Sequence, residues 1–268
     1  MSYLFTFILC LNVFFSGLFP KDSPIQIKDF VTKLNEVKND TEDLSVALIT
    51  LFVLKYQTLD IFQKNNLQSE LEKIIKKLPK NISLANIFDV HSAVDFWYFS
   101  KQLGYKDEYK VSEKELSEFL NPSDLETITD PGEALLYWII ITSLLYCDNQ
   151  TYKHLESFLP SLEKQCQKNN HVYAYLLTHI ILYECIFGKN KPLHNSEIAL
   201  QKLEGHTKKL KFEQKNIDIL AEAVWCAKLC NKEKKGQFKK LEKKLHSLSS
   251  FTYFHEQCMV LLATLPFK

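Results

Sequence analysis

Hydrophobic and polar positions alternate along this chain on the scale of whole helices. Six stretches are apolar on nearly every side: "LSVALITLFVLKY" from Leu44, "VHSAVDFWYFSKQLG" from Val90, "EALLYWIIITSLLYC" from Glu133, "YAYLLTHIILYECIFG" from Tyr173, "NIDILAEAVWCAKLC" from Asn216 and "FTYFHEQCMVLLATL" from Phe251. Between them run "LQSELEKIIKKL", "YKHLESFLPSLEKQC", "SEIALQKLEGHTKKL" and "GQFKKLEKKLHSL", where Leu, Ile or Phe recur at three-and-four spacing with charges between. The first kind predicts a buried helix, the second a helix with one wet face. No stretch keeps a period of two long enough to demand a strand, so the chain is predicted to be all-α. The apolar runs start roughly 35 to 46 residues apart, the period of a helix-pair unit that buries its face against the next. The breaks at 39–43, 121–133, 147–151, 188–197 and 231–237 hold capping residues, and several hold Pro or Gly.

This pattern predicts an inner layer of apolar helices and an outer layer of lysine-rich ones. It is satisfied equally by a closed α/α toroid and by a curved solenoid. Residues 21–268 read as one α/α-repeat domain, with 1–20 a signal segment or an extra apolar helix.

Composition narrows the picture. Of 268 residues, 46% are hydrophobic and 13% aromatic, enough for a real core and too many for disorder. Thirty-three Lys+Arg against 32 Asp+Glu leave a net charge of +1, so there is no global field to draw nucleic acid. Six of the seven cysteines sit in or beside apolar helical runs, where reduced Cys acts as a small hydrophobe, which favours a reducing, cytoplasmic compartment. The run "YLFTFILCLNVFFSGLF" from Tyr3 argues the other way. It has signal-peptide length, but no Lys or Arg precedes it and no small-x-small cleavage site follows. Membrane contact is predicted only if it is an anchor, and export stays open.

No complete catalytic, nucleotide or metal motif is present, and no cofactor is predicted. The leads are polar residues inside apolar helices: His91 with Asp95, His179 with Tyr183 and Glu184, Asp218 with Glu222, and His255 with Glu256. An isolated histidine on an apolar helix is ordinarily a hydrogen-bonded packing residue. Asp218 comes early in its helix, where the dipole favours a carboxylate. Glu222, between Ala221 and Ala223, is hard to explain as surface. If the inner faces converge, these groups would meet in a cavity lined also by Trp97, Trp138 and Trp225.

Three functional classes follow. The first is a binding protein that holds a peptide or small organic ligand in a concave aromatic cavity, using His179, Tyr183, Glu222, Trp225, His255 and Trp138. The second is an enzyme in which His179 or His255 is the general base and Glu222 orients it or serves as acid. The third is an interaction scaffold using the lysine-rich outer face. A minor metal reading groups Cys226, Cys230, His255 and Cys258, although zinc-finger and ribbon spacings are absent.

The segments "YLLTHIILYECIFG", "DILAEAVWCAKLC" and "FHEQCMVLLATL" follow one another in an order that resembles an uncharacterised bacterial all-helical family, a domain of unknown function. That family has a Y-A-x-T-H-x-x-F helix, a carboxylate-bearing apolar helix and a closing H-x-x-x-V-x-x-L-A helix. The resemblance covers residues 25 to 265. It departs at Tyr183, where the family has a Phe-type residue, and at Glu256, directly after the final histidine. It implies that Thr178, His179, Glu222 and His255 match the family's polar pattern, and it carries no established activity. More distantly the chain is similar to the α/α toroids of cyclases and lanthionine-forming enzymes, whose site lies in a central funnel.

Overall fold

The computed structural model describes residues 27–266, apart from 39, 80–86, 106–126, 149–152, 188–193, 234–235, 249 and 252. The signal or extra-helix reading of residues 1–20 lies outside the described residues. Twelve α-helices and no strand occur among the described residues: α1 (Ile27–Glu36), α2 (Thr41–Gln57), α3 (Leu59–Lys64), α4 (Leu67–Lys77), α5 (Ile87–Gln102), α6 (Pro131–Asp148), α7 (Lys153–Cys166), α8 (Asn170–Leu182), α9 (His194–Thr207), α10 (Ile217–Leu229), α11 (Gly236–Leu245) and α12 (Phe254–Thr264). None is long and apolar enough to cross a membrane.

The six apolar runs become α2, α5, α6, α8, α10 and α12. Three of them start at side-chain caps. Asp40 accepts from the backbone N–H groups of Glu42 and Asp43, Asp130 from Gly132 and Glu133, and Asn169 from His171 and Val172. Each carboxylate or amide oxygen satisfies donors that the first helical turn leaves orphaned. α12 begins with a capping box in which Glu256 reaches back to the Tyr253 backbone, and Gln214 donates to the same carboxylate at 2.7 Å. At the other end of α8 the chain widens into a π-helical turn, Tyr183–Phe187.

Burial follows the pattern. From Ile217 to Lys228, α10 is buried at every position except Asp218, and α12 is buried from Glu256 through Thr264. By contrast α4 buries only Leu67, Leu71, Ile74 and Ile75, and α11 only Phe238, Leu241 and Leu245. Lysines occupy the remaining faces. Gly236, at the first turn of α11, has φ +62°, and a Cβ there would stand 2.5 Å from Oε1 of Glu204, so both conformation and space call for glycine.

The apolar helices pack in order. α2 packs on α5, α5 on α6, α6 on α8, α8 on α10 and α10 on α12, and α12 packs back onto α2. The amphipathic helices lie against them, with α4 on α2, α7 on α6 and α8, α9 on α8 and α10, and α11 on α10 and α12. Two apolar clusters result. One joins α1, α2, α4 and α12 around Phe30, Phe96 and Trp225, and the other joins α6, α8 and α9 around Trp138, Tyr183 and Leu203. Helix α10 contributes to both, with Ala221 and Val224 on one side and Ala223 and Cys226 on the other.

Candidate functional site: a histidine and carboxyl cluster

Glu222 is the deepest of the polar groups. It is buried in α10, and its Oε2 is 2.8 Å from the Thr178 hydroxyl on α8 while its Oε1 is 3.9 Å from Nε2 of His255 on α12. Three apolar helices thus bring their polar residues to one point. Burial holds the Glu222 carboxyl up at about 8, against a smaller downward pull from Thr178 and an upward push from Asp218. The Thr178 hydroxyl also lies 2.9 Å from the Tyr175 carbonyl, which can only accept. A hydroxyl has one hydrogen, which Thr178 shares between the Glu222 carboxyl and the Tyr175 carbonyl.

His179 sits beside this pair. Its Nδ1 is 2.9 Å from the same Tyr175 carbonyl, so Nδ1 carries the hydrogen and Nε2 is left as an acceptor. Burial drives its imidazole down to about 3, and both His91 and His255 press in the same direction. His91 and His255 therefore both lie within electrostatic reach of His179. The three come from α5, α8 and α12, which pack chiefly on the intervening α2, α6 and α10 rather than on each other.

His91 has its own carboxyl. Its Nε2 is 3.7 Å from Oδ2 of Asp95, one turn on, and that oxygen accepts from the Ser45 hydroxyl of α2 at 2.5 Å. Burial raises the Asp95 carboxyl, with His91 and then Ser45 drawing it back. His255 is lowered by burial, while Asp218, Glu42, Glu256 and Asp43 raise it. Asp43 is itself raised, by burial first and then by Asp40 and Glu42, and is drawn back by His255. Among the described residues, the charges that weigh most on the cluster are carboxylates and imidazoles.

The side-chain exposures match in pairs. His91 and His255 are 31% and 32% exposed, and their carboxyl partners Asp95 and Glu222 are each 5% exposed. Imidazoles open to solvent are thus backed by carboxyls that are closed off from it. In chemical terms, such an arrangement is able to hold and exchange protons.

The sequence candidates divide. His179, Glu222 and His255 come together. Tyr183 is part of the packing instead: its hydroxyl donates to the Ile139 carbonyl at 3.1 Å and its ring meets Trp138 edge-on at 5.9 Å. Trp138 and Trp225 are 5% and 2% exposed and lie in different apolar clusters, so both pack into the core. Trp97 is half-buried, with Lys101 over its ring. The proposed metal set does not meet. Cys226 turns toward the Thr178 carbonyl and Cys230 toward Cys185, while Cys258 lies in the other cluster against Thr50. Among the described residues no group of three His, Cys, Asp or Glu side chains is placed to hold a metal ion.

Two carboxylates have roles other than those expected. Asp218 accepts a short hydrogen bond from the Tyr175 hydroxyl across the α8–α10 seam, in place of a cap at its own helix. Glu184 lies away from the cluster and accepts from the Ser196 backbone N–H at 2.8 Å, in the first turn of α9. Ser45 and Tyr175 were not predicted. A single hydroxyl in "LSVALITLF" is a weak signal, because a buried hydroxyl can be satisfied within its own helix. No family model, curated protein or solved structure matches the chain.

Proposed function

We propose that the chain is an α/α toroid and that the cluster of His179, Glu222 and His255 is a general acid–base site acting on a small polar molecule. The ring closure rests on the packing of α12 against α2, which returns the series of apolar helices to its start. The chemistry rests on one observation: a buried carboxyl held between a hydroxyl at 2.8 Å and a part-exposed imidazole at 3.9 Å. Glu222 serves as the proton store, Thr178 orients it, and His255 exchanges protons between Glu222 and the bound molecule. The free Nε2 of His179 accepts a hydrogen bond from the ligand and sets its orientation. The 3.9 Å gap is longer than a hydrogen bond and closes when ligand and proton are in place, as catalytic contacts do on substrate binding. Kinship with the bacterial all-helical family of unknown function rests on the same four residues, Thr178, His179, Glu222 and His255, and belongs to this proposal.

An acid–base reading replaces the aromatic cavity as the leading one because the cluster is rich in titratable groups, whereas Trp138 and Trp225 are committed to the core. The test is a panel of small sugars, amides, hydroxy acids and keto acids, followed by proton NMR on the histidine signals and on the added compound. A member that shifts the His179 and His255 signals and is converted supports the reading, with Glu222→Gln slowing conversion by about 100-fold or more while the fold is kept. A member that binds there and stays unchanged leaves a binding protein. If nothing in the panel disturbs the imidazoles, the site assignment fails.

A further inference from the structure

The contacts of Ser45, Asp95 and His91 repeat those of Thr178, Glu222 and His255. In each set a hydroxyl from one apolar helix donates to a carboxyl on the next, at 2.5 Å and 2.8 Å, and an imidazole nitrogen stands 3.7 Å or 3.9 Å from that carboxyl. In each the carboxyl is closed off and the imidazole is about a third exposed. The imidazole comes from the carboxyl's own helix in the first set and from the following helix in the second. His179 senses the imidazoles of both. Both sets therefore bear on one histidine, the first from α2 and α5 and the second from α8, α10 and α12.

We propose that Ser45, Asp95 and His91 form a second proton relay of the same site, so that the protein works on its substrate with two imidazole–carboxyl pairs that both bear on His179. This rests on the acid–base reading above and deepens it. One relay can return a proton only to an atom within its own reach, whereas two relays can take a proton at one atom and deliver another at a second atom in one turnover. The substrate class is then a small molecule that loses a proton at one atom and gains one at another, as in an isomerisation. A proton passes from the substrate to one imidazole, and the electron pair of the broken bond stays on the substrate. The other relay delivers a proton to the second atom. The relays are then out of balance by one proton, which returns through water or His179, and no co-reactant is consumed. The carboxylates that surround His255, Glu42, Asp43, Asp218 and Glu256, make an anionic substrate unfavourable and leave an uncharged or cationic one. In this scheme His91 and His255 touch the substrate, and Ser45, Asp95, Thr178 and Glu222 are positioning residues.

The test uses the full-length, ¹⁵N-labelled protein without ligand, and reads which ring nitrogen of each histidine carries the proton. Asp95→Asn and Ser45→Ala are expected to change the ring-nitrogen signals of His91 and to shift His179, with His255 unmoved. Glu222→Gln is expected to change His255 and His179, with His91 unmoved. If Asp95→Asn leaves His91 unchanged in a folded protein, the second relay is refuted. Ser45→Thr, which keeps the hydroxyl, separates loss of the relay from loss of packing: it restores the wild-type His91 signals if the relay is real and does not if Ser45 merely fills space. The outcome is independent of the parent reading. A converted panel compound whose turnover ignores Asp95→Asn sinks the second relay alone, whereas two intact relays with no compound bound sink the acid–base reading alone.

Discussion

Nε2 of His255 stands 3.9 Å from Oε1 of Glu222, and the two residues come from α12 and α10, helices that pack directly on each other. Neither group is in its ordinary protonation range: burial lowers the imidazole and raises the carboxyl to about 8. The ligand-free site is thus occupied by an acid that keeps its proton and a base that has not taken it. Stability and pH are tied together through this pair.

For Glu222 the sign is definite. Its folded value of about 8 lies above the 4.5 of an ordinary Glu, so between those limits the folded state holds a proton that the unfolded state has lost. The stability this contributes is complete below about pH 4.5 and drains away as pH rises to about 8, at roughly 1.4 kcal/mol per unit. Glu222→Gln cannot titrate. Urea midpoints across pH 4.5 to 9 are expected to show the variant gaining on the wild type as pH rises, with the difference levelling near pH 8. A constant difference would mean that Glu222 is ionised throughout.

His179 works in the opposite direction. Its folded value of about 3 lies below the 6.5 of an ordinary His, so its stabilising contribution is complete above about pH 6.5 and is lost as pH falls toward 3. The neighbours that set this are the buried surroundings, His91 and His255. An NMR titration should find the His179 signals in their neutral positions down to about pH 4, and His179→Gln should lose less stability than the wild type on acidification.

Asp218 raises His255 and also holds the Tyr175 hydroxyl. Asp218→Asn removes the charge but keeps an oxygen to accept from Tyr175. His255 should then titrate at lower pH than in the wild type, with little loss of stability. Tyr175→Phe should show the reverse balance, losing about 1 kcal/mol with the hydrogen bond while the Asp218 charge stays. Equal shifts of His255 in the two variants would separate Asp218 from the cluster.

Away from the site, Lys228 is 8% exposed and its ammonium lies 2.9 Å from the Leu265 carbonyl and 2.8 Å from Oε1 of Glu242. It ties the end of α10 to α11 and to the segment after α12. Lys228→Ala leaves a buried carbonyl without this donor and should cost about 1–3 kcal/mol in urea unfolding. The signals of His91, His179 and His255 should not move. Movement of those signals would mean that the clasp also positions the cluster.

Much of the architecture was legible in residue order. Runs such as "LSVALITLF" and "DILAEAVW" are apolar on nearly all sides, so burial was dictated before any packing was known, and Asp40 and Asp130 marked helix starts because a cap acts on its own first turn. Three residues of the candidate cluster were legible too. Glu222 stood out because a carboxylate between two alanines in a buried helix needs a partner, and His179 and His255 stood out as polar insertions in apolar runs. The packing of Tyr183, Trp138 and Trp225 was not legible, since an aromatic residue beside polar ones has the same local pattern whether it lines a cavity or fills a core.

Local physics acts over a few residues, so the sequence by itself determined the helical class, the helix ends and which helices are buried. Partnership across the fold acts over distances that the chain order does not encode. Ser45 meets Asp95, Thr178 meets Glu222, and His91 and His255 both bear on His179, only because α2, α5, α8, α10 and α12 bring residues from distant parts of the chain together. The same packing decides protonation: the pKa of a carboxyl depends on the water it loses and the charges it gains, and both are supplied by helices other than its own.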